Sequence, residues 1–302
     1  MAGYQSVFAP GLFANKVVVI TGGGSGIGRC TAHELASLGA TVVLMGRREE
    51  KLQQVVAEIE ADSKASASDG GYCGRADYRV ADIRDEERVI EVIADIVLQY
   101  GRIHALVNNA GGQFPSRVED ISKNGFQTVV ENNLVGGFVM SREVYKASMK
   151  EHGGSVVNIT ADCNNGFPGM AHTGAARAGM ENFTKTCAWE WGRFGVRVNA
   201  VAPGIVASSG LATYDPATRK KLLMAGEMMP ARRLCTEAEV SAAIVFLLTP
   251  AAAFINGETL HVDGGGQFGS SHMYMPLSRP EPNNVEQFDG FHRSNLDDIL
   301  NG

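Results

Sequence analysis

The 302-residue sequence predicts an α/β fold: a single-domain, doubly wound parallel sheet of about seven strands flanked by helices. Three observations predict it. Short apolar runs alternate with helical stretches from Lys16 to about Gly265. Most of these runs are apolar throughout and not strictly alternating, which suits strands buried on both faces. The first run enters its helix through a glycine-rich turn. Repetition of this kind closes by right-handed crossovers into one sheet.

The elements follow in order. Lys16–Ile20 is the first strand, and the helix after it runs to Leu38, with Gly39 as its stop. Thr41–Met45 is the second strand, Arg48–Ala61 a helix and Asp62–Gly71 a polar loop. Tyr78–Val80 is a weak third strand, and Arg84–Tyr100 an amphipathic helix closed by Gly101. Ala105–Val107 is the fourth strand, and Gly125–Lys150 contains a long helix. Gly154–Ile159 is the fifth strand, followed by a helix from Ala171 to about Phe194. Val196–Val201, a helix over Thr236–Leu247 and the strand Thr259–Val262 complete the pattern. Composition does not break between Lys16 and Gly265, so residues 16–267 read as one domain behind an N-terminal arm, 1–15. The Pro-, Asn- and Asp-rich segment 268–302 reads as a surface tail suited to subunit contacts.

Charge and composition exclude several classes. A net charge of −6 with no basic cluster argues against nucleic acid as partner. A hydrophobic fraction of 44% excludes a disordered chain. The apolar run Ala242–Leu248 falls far short of the ~20 residues that span a bilayer. The N-terminus lacks a basic-then-apolar leader, and the final Leu-Asn-Gly is not a peroxisomal address. Cys30, Cys73, Cys163, Cys187 and Cys235 are odd in number and form no C-x-x-C, which fits a reducing compartment without a metal site. The expectation is a soluble, cytoplasmic protein.

Between the first strand and its helix lies Thr21-Gly22-Gly23-Gly24-Ser25-Gly26-Ile27-Gly28. A pyrophosphate is stabilised by the free N–H groups and dipole of a helix N-terminus. Glycine lets the backbone turn tightly and come close. Gly22, Ser25, Gly26, Ile27 and Gly28 are therefore the expected cradle; the plain alternative is a turn that merely joins strand to helix. Strand two ends in Met45-Gly46-Arg47-Arg48, with no carboxylate before Glu49. A carboxylate there would hold a ribose 2′-hydroxyl, whereas arginines hold a 2′-phosphate. Arg47 and Arg48 thus predict NADP(H), against the alternative of solvated charges opening the next helix.

Across nearly all of Lys16–Gly265 the chain resembles the short-chain dehydrogenase/reductase family, whose fold is Rossmann-like. The matching stretches are TGGGSGIG from Thr21, Asp82, NNAG from Asn108 and Asn133 in NNLVGG. VNI from Val157, RVNAVAPG from Arg197 and VDGG from Val262 add to them. The resemblance implies that Asp82, with Ile83, approaches the adenine. It places Asn109, Ala110 and Gly111 along the cofactor, and Pro203 and Gly204 against the nicotinamide. It also implies a homotetramer built through the helices near Gly125–Lys150 and Ala171–Phe194.

The family's catalytic set is Asn, Ser, Tyr and Lys. Registering on FTK from Phe183 and on RVNAVAPG puts Thr160 at the Ser, Thr173 at the Tyr and Arg177 at the Lys, with Asn133 retained. Carbonyl reduction protonates an alkoxide, which suits a phenol of pKa ~10 lowered by a neighbouring lysine. Threonine is a far weaker acid but still donates a hydrogen bond to developing charge. Arg177 keeps a positive charge able to hold the nicotinamide ribose but cannot shuttle protons. The i,i+4 spacing puts Thr173 and Arg177 on one helix face. This set suits conjugate reduction of an enoyl thioester, where hydride adds to the β-carbon and the enolate oxygen needs hydrogen-bond donors.

GGQF from Gly111, EHGGSVVNI from Glu151, HTGAARAG from His172 and PAAAFINGE from Pro250 resemble the trans-2-enoyl-CoA reductase branch, peroxisomal and bacterial. That branch carries a small hydroxyl residue and an arginine at the same two places. The related 2,4-dienoyl-CoA reductases move the acid eleven residues upstream of the hydroxyl, which is Asp162 here; burial would have to raise its pKa. His172 is a second candidate acid or a packing residue at the helix start. Residues 205–230 correspond to the family's substrate lid, where Leu222, Leu223, Met228 and Met229 suit a long apolar chain or pack an amphipathic helix on the core. Arg219, Lys220 and Lys221 meet a CoA phosphate or solvent. Three functions stay open: an enoyl-thioester reductase, a dehydrogenase of an aliphatic or terpenoid alcohol or aldehyde, and a silent cofactor-binding sensor or scaffold.

Overall fold

The computed structural model describes residues 6–68, 74–268, 286–288 and 290. Its elements run β1 (Val17–Thr21), α1 (Gly26–Ser37), β2 (Thr41–Gly46), α2 (Glu49–Ser68), β3 (Arg75–Val80), α3 (Glu86–Tyr100) and β4 (Ala105–Asn108). A long helix follows as α4 (Lys123–Val130), α5 (Gly136–Val144) and α6 (Lys150–His152). Then come β5 (Gly154–Ile159), α7 (Ala171–Gly192), β6 (Val196–Pro203), β7 (Val206–Ala207), α8 (Pro216–Met228), β8 (Cys235–Thr236), α9 (Glu237–Leu248) and β9 (Thr259–Val262).

Seven strands form one parallel sheet in the order β3-β2-β1-β4-β5-β6-β9. Successive residues of each strand feed opposite layers. Ile20, Leu44 and Val107 pack with Leu35, Leu52 and Ile244 of α1, α2 and α9. Val19, Val43 and Leu106 pack with Ile96, Met140 and Cys187 of α3, α5 and α7. Each fully buried side chain of this size contributes about 1.5–3 kcal/mol. The sheet winds outward through β2 and β3 on one side of β1 and then crosses to β4 on the other. A crevice therefore opens beyond the carboxyl ends of β1 and β4, where doubly wound sheets bind ligands.

The structure departs from the sequence reading in several places. Asp62–Ser68 is helix and not loop, because alanine, lysine and serine tolerate helix and the first glycine comes only at Gly70. Residues 69–73, including Cys73, lie outside the described residues. β3 starts at Arg75, ahead of the predicted Tyr78; as an edge strand it is only half-buried and carries no continuous apolar run. The long helix is interrupted by π-helical stretches at Glu131–Val135 and Tyr145–Met149. The N-terminal arm is packed over its described part: Phe13 is buried and its N–H donates to Leu38 O at 3.0 Å. Most of the predicted 268–302 tail lies outside the described residues, as does the Met228 side chain. Tyr145 stacks on Trp191 with centroids 4.3 Å apart.

One buried polar network pins the layers together. Asn108 Nδ2 donates to Ser141 Oγ and to Asn158 Oδ1, both at 2.8 Å, and Asn158 Nδ2 donates to Thr184 Oγ1 at 2.8 Å. It joins β4, α5, β5 and α7 directly below the crevice. Asn108→Leu should leave Asn158 and Ser141 short of a partner and cost about 1–3 kcal/mol. A urea midpoint equal to wild type would show that the network adds nothing to stability.

Candidate active site

The β1–α1 turn has the shape expected of an anion cradle. Gly22 and Gly26 adopt positive φ, at 67° and 58°. A Cβ on Gly28 would lie 2.5 Å from both Gly22 O and Asn109 Nδ2, so only glycine fits where the turn meets the loop after β4. No acidic residue stands in the first turn of α1, whose N-cap is Ser25. Thr21 was not singled out from sequence, yet its hydroxyl is the hub of the crevice. Oγ1 donates to Val107 O at 3.3 Å and accepts from Asn109 N and Ala110 N, both at 3.0 Å. These features fit a nicotinamide dinucleotide with its pyrophosphate on α1.

At the end of β2, Arg47 and Arg48 are exposed. Asp82 accepts from Arg84 Nε at 3.0 Å and Nη2 at 2.5 Å. These bonds from Arg84, helped by the charge of Arg47, hold its carboxyl below the ordinary range. Arg84 is a third arginine beside the expected adenine end. Ile83 is buried and occupies the space that a side chain on Gly136 would need.

Asn133 lies in the first π-helical stretch. Its Nδ2 donates to Val129 O at 2.8 Å and Gly112 O at 2.7 Å, and its Oδ1 accepts from Gly112 N at 3.2 Å. Its side chain is thus committed to holding the Gly111–Gly112 backbone. A Cβ on Gly111 would lie 2.5 Å from Arg177 Nη2 and 2.6 Å from Asn133 Oδ1, so these three positions meet. Arg177 is buried, and its Nη1 donates to Ile159 O. Burial lowers its pKa to about 10.

Thr160 and Thr173 are both buried. Thr160 Oγ1 donates to Val201 O at 3.3 Å and its side chain also bonds Glu181, so this hydroxyl is engaged within the chain. Thr173 Oγ1 lies 3.1 Å from His172 Nδ1. Asp162, Pro203 and Gly204 gather with β9 at the carboxyl end of β6. Asp162 N donates to Pro203 O at 3.3 Å, and Gly204 N donates to Val262 O at 3.0 Å.

Asp162 is not alone. One donor atom from each of Asp162, His261 and Asp263 lies within 4.8 Å of the other two. Burial, then the charge of Asp263, raises the Asp162 pKa, and His261 opposes the shift. Asp263 already accepts from Gly265 N at 3.1 Å and Gln267 N at 2.7 Å, so it is fixed in place. The same three atoms have the spacing of a metal-ligand set. Neither His261 nor Asp263 was singled out from sequence. VDGG did mark the segment, but no periodicity brings β9 to β5. In the expected lid, the Tyr214 hydroxyl accepts from Gln113 Nε2 at 3.3 Å, which links residues 205–230 to the loop after β4.

The family model described as Enoyl-(Acyl carrier protein) reductase matches residues 22–267. The chain belongs to the short-chain dehydrogenase/reductase family. It is an oxidoreductase of that family, using a nicotinamide cofactor. A peroxisomal 2,4-dienoyl-CoA reductase [(3E)-enoyl-CoA-producing] of Danio rerio is 34% identical, over 89% of this chain and 87% of that one. A probable 2,4-dienoyl-CoA reductase [(2E)-enoyl-CoA-producing] of Bacillus subtilis is also 34% identical, over 83% of this chain and 96% of that one. Among solved structures, a citronellol catabolism dehydrogenase of Pseudomonas aeruginosa PAO1 is 52% identical, covering 87% of this chain and 100% of that chain with a TM-score of 0.75. These short-chain dehydrogenase/reductase relatives are named as reductases or dehydrogenases, and no helix among the described residues is long and apolar enough to cross a membrane.

Thr21→Val keeps the shape of its side chain and removes the acceptor for two backbone N–H groups. Nicotinamide dinucleotide binding should weaken about tenfold, roughly 1.4 kcal/mol. Titration of cofactor fluorescence measures it; an unchanged Kd would separate Thr21 from the cofactor site.

Proposed function

We propose that the enzyme reduces the conjugated C=C bond of an enoyl thioester, of the trans-2-enoyl or 2,4-dienoyl type, with NADPH. One observation carries the reading: the two positions of a phenol and its lysine hold Thr173 and Arg177, while a carboxyl with raised pKa, Asp162, stands at the neighbouring strand ends. When bound, NADPH supplies hydride to the far end of the conjugated system. Thr173 donates a hydrogen bond to the thioester oxygen as it gains charge. Arg177 holds the nicotinamide ribose and adds positive field. Asn133 keeps Gly111–Gly112 in place, and with Asn109 and Ala110 these residues would line the bound cofactor. Asp162, its proton retained by burial and by Asp263, delivers that proton to carbon. Thr160 steadies Glu181 and the end of β5. Pro203 and Gly204 would line the nicotinamide, and residues 205–230, tied to the loop after β4 by the Gln113–Tyr214 contact, would cover the acyl chain. For a dienoyl substrate, a proton to the α-carbon gives the 3-enoyl product, and a proton to the γ-carbon the 2-enoyl product. The two outcomes correspond to the two product names printed for the relatives.

Arg47 and Arg48, with Arg84 beside them, support NADP(H) over NAD(H) through bonds to the 2′-phosphate. We further infer a cytoplasmic homotetramer, supported by exposed Phe126, Val135 and Phe138 on the long helix and Trp189 on α7. A second reading, oxidation of an acyclic terpenoid alcohol, draws on the 52% identical dehydrogenase of citronellol catabolism.

A spectrophotometric screen separates the two: NADPH consumption with enoyl- or dienoyl-CoA supports the first, and NADP+ reduction with citronellol the second. Arg47→Asp should weaken NADPH at least tenfold and narrow its advantage over NADH; unchanged NADPH affinity would misplace the 2′-phosphate. The acid form of Asp162 is the active one, and its pKa is raised. Activity should therefore hold past the usual carboxyl range and fall as pH climbs through the raised value. Asp162→Asn should lower kcat about 100-fold and remove that limb; a wild-type profile in the variant would exclude Asp162 as the acid.

A further inference from the structure

We propose that His172 is a positioning residue: its neutral ring holds the Thr173 side chain while leaving the Thr173 hydroxyl proton free for the substrate oxygen. The proposal rests on the reading of Thr173 as the oxygen's hydrogen-bond donor.

The ring is fully buried at the start of α7. Nδ1 accepts from the backbone N–H of Thr173 at 2.8 Å, a donor shared with Met170 O at 2.9 Å. A backbone N–H can only donate, so Nδ1 carries its lone pair and the ring proton sits on Nε2. Burial also pushes the imidazole below its ordinary pKa, against the backbone groups of Met170 and Phe114, which favour the charged form. Both facts favour a neutral, positioning ring over the proton donor that the sequence allowed.

An imidazole nitrogen has one in-plane lone pair, and the N–H at 2.8 Å occupies it. The Thr173 hydroxyl at 3.1 Å from the same atom is left as a second, weaker donor. Elsewhere in α7 threonine hydroxyls are spent inside the helix: Thr184 Oγ1 donates to Met180 O at 2.8 Å and Thr186 Oγ1 to Asn182 O at 3.1 Å. Thr173 sits in the first turn, where the residue four back, Gly169, precedes the helix. Its hydroxyl therefore meets His172 in place of a carbonyl. A strong acceptor such as an enolate oxygen outcompetes a nitrogen whose lone pair is already taken.

The ring also connects this hydroxyl to the loop after β4. Phe114 packs edge to face on it, centroids 4.6 Å apart. Phe114 follows Gly112, which Asn133 holds, and Gln113, which contacts Tyr214. Closure over a substrate would thus bear on the ring and through it on Thr173.

The test uses the full chain with NADPH and a 2,4-dienoyl- or trans-2-enoyl-CoA. His172→Leu should lower kcat about tenfold or more, leaving the NADPH Kd within about twofold. His172→Gln, whose amide oxygen can accept from Thr173 N–H, should recover most of kcat. In a Thr173→Val background His172→Leu should cost nothing further. Additive losses, or equal losses in the Leu and Gln variants, would reduce His172 to packing. Full kcat in Thr173→Val alone would instead remove the donor role of Thr173, and the proposal with it. Nitrogen-15 NMR of the ring reads the tautomer without turnover: neutral Nε2–H is expected at pH 7, and Nδ1–H or imidazolium overturns the proposal even if no thioester is reduced.

Discussion

The close approach of two loops at the carboxyl ends of β1 and β4 is the constraint on which the site depends. Gly28 meets Gly22 O and Asn109 Nδ2 with no room for a side chain, and the Thr21 hydroxyl ties the same two loops through three hydrogen bonds. This contact fixes where α1 begins and where Asn109, Ala110 and Gly111 lie. From Gly111 the geometry propagates to Asn133 and Arg177, which crowd the place of its missing Cβ. Widening the crevice by one methyl group would move the anion cradle and the reaction site together. Tight interiors transmit such strain and do not absorb it.

Arg177 is the electrostatic counterpart of that constraint. It is a buried guanidinium whose bond is to a carbonyl, Ile159 O, and not to a carboxylate. Burying an ion without its counter-charge is expensive, and burial accordingly lowers its pKa to about 10. The field it projects strengthens any negative charge brought beside it, whether on a ribose hydroxyl or on an enolate. A lysine in its place could release its proton; the guanidinium remains charged, so the site offers field in place of proton transfer.

The fold was legible because the strands are buried on both faces and leave short apolar runs. The cradle was legible because glycine spacing records where a Cβ cannot stand. Legibility failed where long-range contacts decide. Half-buried β3 hides its first residues, since an edge strand needs no continuous apolar face. Asp62–Ser68 has loop composition but helical permission, and no glycine or proline stops it. The π-helical stretch that turns Asn133 toward Gly112 has no local marker. Asp162 could be named from its offset to Thr173, but its raised pKa depends on burial and on Asp263, a hundred residues away.

The separation of these groups bears on the chemistry itself. In carbonyl reduction the oxygen that gains charge is also the atom that takes the proton, so one phenol with a helper serves both needs. In conjugate reduction the charge gathers on oxygen while the proton goes to carbon, so donor and acid must stand apart. The proposed roles fall on separate elements: Thr173 and Arg177 project from α7, whereas Asp162 stands after β5, braced by the ends of β6 and β9. Merging the roles again would require an acid at position 173. That position is buried beside the His172 ring, whose Nδ1 lies 3.1 Å from the Thr173 hydroxyl. The packing of the α7 N-terminus thus reinforces the same division of labour.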